Sequence, residues 1–324
     1  MLRTIVARHD RFRLKSPFRI ARGVKTDADV VTVGISERGV TGRGEGVPYP
    51  RYDESVEGSI AAIDAVAAML ARGAGRAELL TLMPPGAARN AVDAALWDLE
   101  GRLAGTGSDD GGDPIETAVT VVIDTPDAMH RASLALAGVP LVKVKVDREQ
   151  VAERIRAVRS ALPGARMIVD PNESWDMATL DSVQPLLVEA RVDLLEQPLP
   201  SGEDAALAGY VSRVPVCADE SAHGADDLDR LRSRYAFVNV KLDKTGGLTA
   251  ALAFAEAAER AGFGLMVGCM VCSSLGIAPA LRLARRARFV DCDGPWWMAQ
   301  DRPGGVRIEA GLIHPPTPGF WGGI

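Results

Sequence analysis

The hydrophobic pattern divides the chain into two regions, and the first of them reads as strands followed by helices. Apolar and polar residues alternate in ADVVTVGISE (28–37), a strand pattern, and a turn-rich stretch, TGRGEGVPYP (41–50), follows. Apolar residues then recur at helical spacing over 55–73 and 88–105, and both stretches end at glycine, as helix C-termini often do. The pattern predicts a small α+β domain at the N-terminus.

The second region contains strand candidates at near-regular intervals, most of them separated by a stretch of helical period such as 149–162 or 249–262. The strand candidates are TAVTVVID, LVKVKV, RMIVD, DLLEQP, VCADE, FVNVKLD, GLMVGCM and RFVDCDG. Eight parallel strands with intervening helices predict a (β/α) barrel, a modified TIM barrel.

These patterns predict three structural parts. An α+β capping domain is expected over 1–112 and a catalytic barrel over 113–300, with the stretch GTGSDDGGDP (105–114) reading as a linker. The last part, 301–324, has no helical period, and we expect it to return and pack on the capping domain.

Charged residues close successive strands of the predicted barrel at nearly constant spacing. Lys145 to Asp170 is 25 residues, Asp170 to Glu196 is 26, Glu196 to Asp219 is 23 and Asp219 to Lys241 is 22. One strand, one helix and two loops take about that length, so these residues are expected at the same place in successive βα units. Catalytic groups gather at the C-terminal ends of barrel strands, so the pattern indicates an active site.

The two lysines of VKVKV, Lys143 and Lys145, share one face of their strand because side chains alternate. Val142, Val144 and Val146 are expected on the other face, against the helices. Both lysines are therefore predicted to point into the barrel, and a solvated strand edge is the alternative.

The three acids Asp170, Glu196 and Asp219 are predicted to converge, and carboxylates held together without a cation repel each other. Oxygen-only ligands suit Mg²⁺, so we expect a magnesium site. Each acid taken alone also suits a helix N-cap. Asn172 and Glu220 lie beside the predicted ligands and are expected to support them.

Composition narrows the class of function without choosing a reaction. A net charge of −6 with interspersed charges argues against nucleic acid or an anionic membrane as a partner. No signal-like or membrane-spanning apolar run is present, so a cytoplasmic location is expected. Cys269 and Cys272 form a CxxC without the second pair that a zinc site needs.

With KxK, DxN, E, DE and K at successive strand ends, the chain resembles the enolase superfamily and, within it, the muconate-lactonizing subgroup, over essentially its whole length. The resemblance implies a (β/α)7β barrel in which the three acids bind one Mg²⁺ per subunit. It implies that Lys145 and Lys241 move a proton next to a substrate carboxylate from opposite faces, which gives racemisation or epimerisation, with Lys143 as an electrostatic helper. The four histidines all fall outside the position of the base in the mandelate-racemase-like branch.

The eighth strand, RFVDCDG, places Asp291 and Asp293 on one face, and this DxD is similar to that of dipeptide epimerases. The resemblance implies that the pair binds the free ammonium of a dipeptide, whereas a pair that caps the next turn is the alternative. The run GCMVCSSLGIAPA also resembles the epimerases, which implies that Ser273 lies near the substrate.

The first loop, SPFRIARGVKTDADV, carries Arg19, Arg22 and Lys25 and is expected to supply substrate specificity. Arg22, in a loop expected to be mobile, is the preferred partner for a side-chain carboxylate, and a surface arginine is the alternative. The resemblance of this loop and of VNVKLDKTGGL to Ala-Glu epimerases implies interconversion of L-Ala-D-Glu and L-Ala-L-Glu. An N-succinylamino acid racemase, an o-succinylbenzoate synthase-like lyase and a non-catalytic binding protein are the alternatives, and a homo-oligomer is possible.

Overall fold

A computed structural model describes residues 2–105 and 112–323, and its N-terminal part is an antiparallel sheet with helices on one side. The strands are β1 (Thr4–Ile20), β2 (Gly23–Glu37) and β3 (Val40–Gly46). The helices are α1 (Val56–Ala71), α2 (Arg76–Leu82) and α3 (Ala87–Ala104). Both helices predicted from sequence are confirmed as α1 and α3. Most of the predicted linker lies outside the described residues.

Residues 41–46 of the stretch predicted to be turn-rich lie in strand β3, whereas 47–50 lie outside any strand, and the glycines explain the difference. A Cβ on Gly42, Gly44 or Gly46 would lie 2.1–2.3 Å from a backbone carbonyl oxygen of α3. The alternate glycines therefore share one face of the strand and let α3 pack directly on its backbone. Glycine here serves close approach and not a turn.

The second part is a barrel of eight parallel strands in sequential order. Its strands are β5 (Val119–Val121), β6 (Leu141–Lys145), β7 (Arg166–Asp170), β8 (Leu194–Glu196), β9 (Val216–Ala218), β10 (Phe237–Val240), β11 (Gly264–Gly268) and β12 (Phe289–Asp291). The helices are α4 (Pro126–Leu134), α5 (Val151–Ala161), α6 (Met177–Glu189), α7 (Leu228–Leu231), α8 (Leu242–Thr245), α9 (Leu248–Arg260), α10 (Ser274–Ala284) and α11 (Gly294–Trp297). The amide of Ala118 donates to the Val290 carbonyl at 2.8 Å, which brings the first and last strands together. The predicted fold class is confirmed.

The barrel interior is built in layers, as the side-chain alternation predicts. One buried residue from each strand forms the floor, and these are Ala118, Leu141, Ile168, Leu194, Cys217, Phe237, Met266 and Phe289. For β6, β7, β8, β9 and β12, a charged residue lies two positions further along the chain, towards the C-terminal end of the strand, and these residues are Lys143, Asp170, Glu196, Asp219 and Asp291. Val142, Val144 and Val146 pack in the outer core with α5 residues such as Ile155, which confirms that the lysines point inward.

The C-terminal residues form a small sheet and then reach the N-terminal part. Strand β14 (Leu312–His314) pairs with β13 (Arg307–Glu309) on one side and with β4 (Ile115–Glu116) on the other. The Trp321 indole then donates to the carbonyls of Arg43 and Ala94, both at 3.1 Å. Among the described residues, no helix combines the length and apolarity needed to cross a membrane.

Candidate active site

A cleft of about 470 Å³ lies between the C-terminal ends of the barrel strands and the N-terminal sheet. Its floor carries the predicted lysines and several of the predicted acids, and its roof is formed by the β1–β2 turn and by the segment around Tyr49–Tyr52. The lining residues used below are Arg22, Lys25, Lys143, Lys145, Asn172, Asp219, Glu220, Lys241, Cys269, Asp291 and Asp293. Parallel strands direct their C-terminal side chains to one end, so Lys143 and Asp293, which are 150 residues apart in the chain, meet at one site.

Lys145 and Lys241 enter the cleft from opposite sides of the barrel. Lys145 ends β6 and Lys241 directly follows β10, and these strands are four positions apart in the order of eight. Lys145 Nζ lies 2.5 Å from Asp170 Oδ2, and Lys241 Nζ lies 2.7 Å from Asp219 Oδ2. Two ammonium groups therefore flank the acid cluster with the acids between them.

Lys143 lies deeper than Lys145 and is almost fully buried. Its ammonium is 2.7 Å from Glu196, 2.7 Å from Asp291 and 3.1 Å from Asp170. Burial lowers the pKa of Lys143, but Asp291, Glu196 and Asp170 outweigh it and hold that pKa well above its usual value. Lys143 is therefore a fixed positive charge beneath the site.

The three acids have different electrostatic environments although all are buried. Burial opposes ionisation of Asp170, yet Lys145 and Lys143 lower the pKa of that carboxyl. Burial and the Asp170 charge raise the pKa of Glu196 to about 8 despite Lys143. Asp219 resembles Asp170, because Lys241 and Lys244 overcome burial and lower its pKa. The three carboxylates therefore lie close together, and the lysines do not fully offset their mutual repulsion, since the pKa of Glu196 stays raised.

The oxygen donors fit a divalent cation. Glu196 Oε2 and both carboxylate oxygens of Glu220 are buried and accept no hydrogen bond from the described residues, although each side chain has one ion pair. Buried carboxylate oxygens that accept no hydrogen bond are available as ligands, and Mg²⁺ prefers oxygen ligands. Within 2–105 and 112–323, no group of three or more His, Cys, Asp or Glu side chains is already arranged to hold a metal ion. Asp170, Glu196 and Asp219 each contact a lysine ammonium.

Asn172 and Glu220 adjoin the acids as expected. The Asn172 amide nitrogen Nδ2 donates to Asp170 Oδ2 at 3.2 Å, and its Oδ1 accepts from Lys145 at 3.1 Å. Glu220 pairs with Arg22 at 2.6 Å. Asn172 therefore links Asp170 to Lys145, and Glu220 links the floor of the cleft to Arg22 in the β1–β2 turn.

Asp291 and Asp293 both line the cleft on its eighth-strand side. Asp293 Oδ2 accepts from the Thr120 amide at 2.8 Å and the Trp297 indole at 3.2 Å. Burial and the neighbouring Asp291 raise the pKa of Asp293 to about 7. Asp291 Oδ1 is buried without a hydrogen-bond partner among the described residues. The pair offers negative charge and an open acceptor to a cationic group.

The structure revises the picture of the first loop. The segment is the end of a β-hairpin, in which Ile20 pairs with Gly23 and Arg22 lies in the tight turn. Arg22 reaches the cleft, but its guanidinium is 2.6 Å from Glu220 and 3.2 Å from Glu173. Lys25 also lines the cleft, its side chain makes no hydrogen bond or ion pair within the described residues, and its ammonium lies 4.7 Å from the Tyr49 ring centre. Arg19 does not line the cleft.

Ser273 does not reach the cleft, so the prediction that it contacts substrate needs correction. It is fully buried, its amide donates to Glu45 Oε1 at 2.8 Å, and its hydroxyl donates to the other oxygen of Glu45. Arg302 donates to the same hydroxyl at 2.7 Å. Ser273 therefore caps α10 and ties the barrel to the N-terminal sheet.

Sequence reasoning missed three buried residues that hold the acids in place. Asn239 donates to Glu196 at 2.9 Å, Lys244 Nζ lies 2.7 Å from Asp219 Oδ1, and Gln197 Oε1 accepts from the Asp219 amide at 2.9 Å. Alternation identifies Asn239, which lies two positions before Lys241 on an inward face. Nothing in the local pattern marks Gln197 or Lys244.

Family models match both parts of the chain. Residues 2–108 match the mandelate racemase/muconate lactonizing enzyme N-terminal domain, and residues 127–320 match the enolase C-terminal domain-like family. The chain belongs to the enolase superfamily. Its resemblance to that superfamily, inferred from the charged strand ends, is confirmed.

Several enolase superfamily proteins with a described activity are similar over almost the whole chain. The L-Ala-D/L-Glu epimerase of Escherichia coli (strain K12) is 45% identical over 97% of this chain and 100% of its own length. The N-acetyl-D-glutamate racemase of a Pseudoalteromonas species is 43% identical over 91% of this chain and 95% of its own. Both relatives, an epimerase and a racemase, are isomerases.

Solved structures of the enolase superfamily share the fold. An enolase family member from Agrobacterium tumefaciens, with homology to dipeptide epimerases and with bound sodium and L-Ala-L-Glu, has a TM-score of 0.95 at 47% identity, covering 98% of this chain and 99% of that one. A dipeptide epimerase from Cytophaga hutchinsonii, complexed with Mg and D-Ala-L-Val, has a TM-score of 0.88 at 28% identity, covering 98% and 94%.

Proposed function

We propose that this protein is a Mg²⁺-dependent dipeptide epimerase that inverts the α-carbon of the C-terminal residue and interconverts L-Ala-D-Glu and L-Ala-L-Glu. The observation that carries the proposal is the placement of Lys145 and Lys241 on opposite sides of one acid cluster, 2.5 and 2.7 Å from its carboxylates. Inversion needs a proton donor and a proton acceptor on opposite faces of the reacting carbon.

Asp170, Glu196 and Asp219 would hold the Mg²⁺, since they bring buried carboxylate oxygens from three consecutive strands. When bound, the ion supplies positive charge that offsets the second negative charge on a deprotonated substrate and lowers the proton affinity of the neighbouring lysines. The Mg-bound Cytophaga hutchinsonii epimerase supports this choice of metal.

The lysines divide the proton transfers between them. Lys145 removes the α-proton from one face of the substrate and Lys241 delivers a proton to the other, and the roles reverse for the opposite configuration. Lys143 remains an ammonium throughout because Asp291, Glu196 and Asp170 hold its charge. Its contribution is electrostatic, since its ammonium already contacts three carboxylates.

Asp291 and Asp293 are the proposed site for the substrate ammonium. They line the same cleft as the β1–β2 hairpin, so a dipeptide held there by its ammonium can direct the side chain of its second residue towards the roof. A buried carboxylate pair favours a cation and disfavours a neutral or anionic amide substituent.

The side-chain carboxylate of glutamate is proposed to meet Lys25, with Arg22 beside it. Arg22 was the residue preferred from sequence, but its charge is already matched by Glu220 and Glu173. Lys25 carries the less compensated charge, and burial lowers its pKa. A carboxylate ligand would relieve that cost by pairing with the ammonium.

A second candidate function is racemisation of an N-acyl glutamate, favoured by the 43% identity to the N-acetyl-D-glutamate racemase. The same lysines and acids would serve that reaction, but Asp291 and Asp293 would then face an uncharged acyl group. The unpartnered Oδ1 of Asp291 favours the dipeptide.

Proton NMR in D₂O tests the proposal. L-Ala-L-Glu incubated with enzyme and Mg²⁺ should lose the glutamate Cα proton signal while L-Ala-D-Glu appears, and the alanine Cα signal should be unchanged. Faster exchange in N-acetyl-glutamate than in L-Ala-L-Glu would select the second candidate. Failure of both substrates to exchange would reject both functions.

A further inference from the structure

Three of the four cysteines lie together at the edge of the cleft. Cys269 lies against the side chains of both Cys272 and Cys292, and all three are free thiols. Cys269 and Cys272 are the two ends of the CxxC noted in the sequence, and Cys292 is the middle residue of the DCD at the eighth strand. The fold thus gives the CxxC a third thiol that is 20 residues away from its second cysteine in the chain.

Only one thiol of this trio is accessible. Cys269 is partly exposed and lines the cleft, whereas Cys272 and Cys292 are 2% and 0% exposed. Hydrogen bonds from Cys272 and Cys292 lower the pKa of the Cys269 thiol, and the same contacts with burial raise the pKa of the other two. The reachable sulfur is thus also the one with thiolate character, and thiolates react with oxidants.

The trio is in direct contact with the proposed ammonium site. The Cys269 amide donates to the Asp291 carbonyl at 3.1 Å. A Cβ on Gly294 would lie 2.9 Å from the backbone N and O of Cys272, so the chain after Asp293 packs on the CxxC backbone without spare room. A covalent change in the CxxC loop therefore moves Asp291 and Asp293.

We propose that Cys269 is an oxidation site in the cleft, and that Cys272 resolves the oxidised sulfur into a Cys269–Cys272 disulfide that switches the enzyme off reversibly. The oxidant class is a hydroperoxide. This modification is separate from the epimerase chemistry, which uses none of the three thiols.

The chemistry balances in two steps. The Cys269 thiolate attacks one peroxide oxygen, an S–O bond forms, the O–O bond breaks, and hydroxide leaves and takes up a proton as water. The Cys272 thiol then gives up its proton as its sulfur attacks the Cys269 sulfur, an S–S bond forms, the S–O bond breaks, and the departing hydroxide takes up that proton as a second water. Two thiols are oxidised and one hydrogen peroxide is reduced to two waters.

Mapping the Cys269–Cys272 disulfide by mass spectrometry tests the proposal, and this readout does not depend on the proposed epimerase activity. After brief exposure of the wild type to hydrogen peroxide, free thiols should fall from four to two per chain, and a 269–272 linked peptide should appear. Dithiothreitol should restore four thiols. A 269–292 linked peptide would retain the oxidation site and overturn the choice of partner, whereas four unchanged thiols would overturn the proposal.

Activity, with each variant normalised to its own untreated sample, gives the second readout. Peroxide should inactivate the wild type and dithiothreitol should restore it, whereas Cys269→Ser should resist. Cys217→Ala is the matched control, because Cys217 is buried on the barrel floor away from the trio, and it should be as sensitive as the wild type. If peroxide inactivated Cys269→Ser as much as the wild type, the proposal would be contradicted. This comparison holds for any substrate used in the assay, even if the dipeptide assignment is wrong.

Discussion

Lys241 donates a 2.7 Å hydrogen bond to Asp219 on the neighbouring strand, so a proposed proton-transfer group and a proposed metal ligand share one carboxylate. Lys145 shares Asp170 in the same way on the other side of the barrel. Any cation that binds these acids changes the electrostatic environment of both lysines at once. Metal binding and proton affinity are therefore coupled through two specific contacts.

The first prediction follows from that coupling. Chelation with EDTA should abolish epimerisation and Mg²⁺ should restore it, because the acid cluster needs a cation to accept a substrate carboxylate and the second negative charge that forms beside it on deprotonation. Glu196→Gln should weaken Mg²⁺ binding measured by calorimetry, since it removes a charged ligand. Full activity in metal-stripped enzyme would contradict the assignment of the three acids.

The second prediction separates the two lysines. Lys145→Ala and Lys241→Ala should each lower kcat for epimerisation by roughly 10²–10⁴-fold, the usual value of a positioned acid or base. Each variant should still exchange the α-proton of one diastereomer in D₂O, because the remaining lysine faces one side of the carbon. Exchange of both diastereomers at the wild-type rate by Lys241→Ala would show that a different group acts on that face.

The barrel and its charged centre were predictable from the sequence because both rest on short periodicities. Strand alternation places Lys143 and Lys145 inward, and the length of a βα unit places Asp170, Glu196 and Asp219 at one end of the barrel. Strand alternation and the length of a βα unit apply to any (β/α) barrel. They required no knowledge of contacts between distant residues.

The parts that were missed depend on such distant contacts. Ser273 lies 228 residues from Glu45, whose carboxylate accepts from both its amide and its hydroxyl, and nothing local in either segment indicates the pairing. Arg22 looks like a free surface cation until Glu220, 198 residues later, is placed 2.6 Å from it. Strand β3 read as turns because its glycines serve the packing of a helix that begins 41 residues after Gly46.

The third prediction concerns the substrate ammonium. The pKa of Asp293 is raised to about 7, so its charged form, which binds a cation, is populated only above that pH. The value of kcat/KM for a free dipeptide should therefore rise with pH through about 7 and level off above it. Asp293→Asn should lower kcat/KM by on the order of a hundredfold and remove that rise, since it leaves a buried ammonium without its partner.

The ammonium assignment has a substrate-side control. N-acetylation of L-Ala-L-Glu removes the cation and should be as damaging to the wild type as Asp293→Asn is with the free dipeptide. The acetylated dipeptide should not be affected further by the mutation. Better turnover of acetylated than of free substrate by the wild type would reject the ammonium site and favour an N-acyl substrate.

The fourth prediction distinguishes Lys25 from Arg22. Lys25→Met should lower kcat/KM for L-Ala-L-Glu by roughly 10- to 100-fold, the effect of losing a charge-assisted hydrogen bond of about 1.5–3 kcal/mol, and should leave L-Ala-L-Ala almost unaffected. Arg22→Ala should impair both dipeptides, because it also releases Glu220 and Glu173. A loss specific to the Glu dipeptide in Arg22→Ala alone would return the assignment to Arg22.

The fifth prediction concerns stability, through a buried acid outside the cleft lining. Asp243 accepts from the Val47 amide at 2.9 Å and the Asn90 side chain at 2.8 Å, and burial raises its pKa to about 7. The folded state therefore binds a proton that the unfolded state releases above its ordinary pKa near 4. The contribution to stability is complete below that pH and is lost as pH rises through 7.

Asp243→Asn should remove that dependence, because a neutral amide keeps the acceptor oxygen and carries no charge to bury. Relative to the variant, the wild type should lose on the order of 4 kcal/mol of unfolding free energy between about pH 4 and pH 8, at about 1.4 kcal/mol per pKa unit. Urea unfolding of both proteins across this range measures the difference. A constant difference with pH would show that Asp243 is ionised in the folded protein and that the hydrogen bonds from Val47 and Asn90 outweigh its burial.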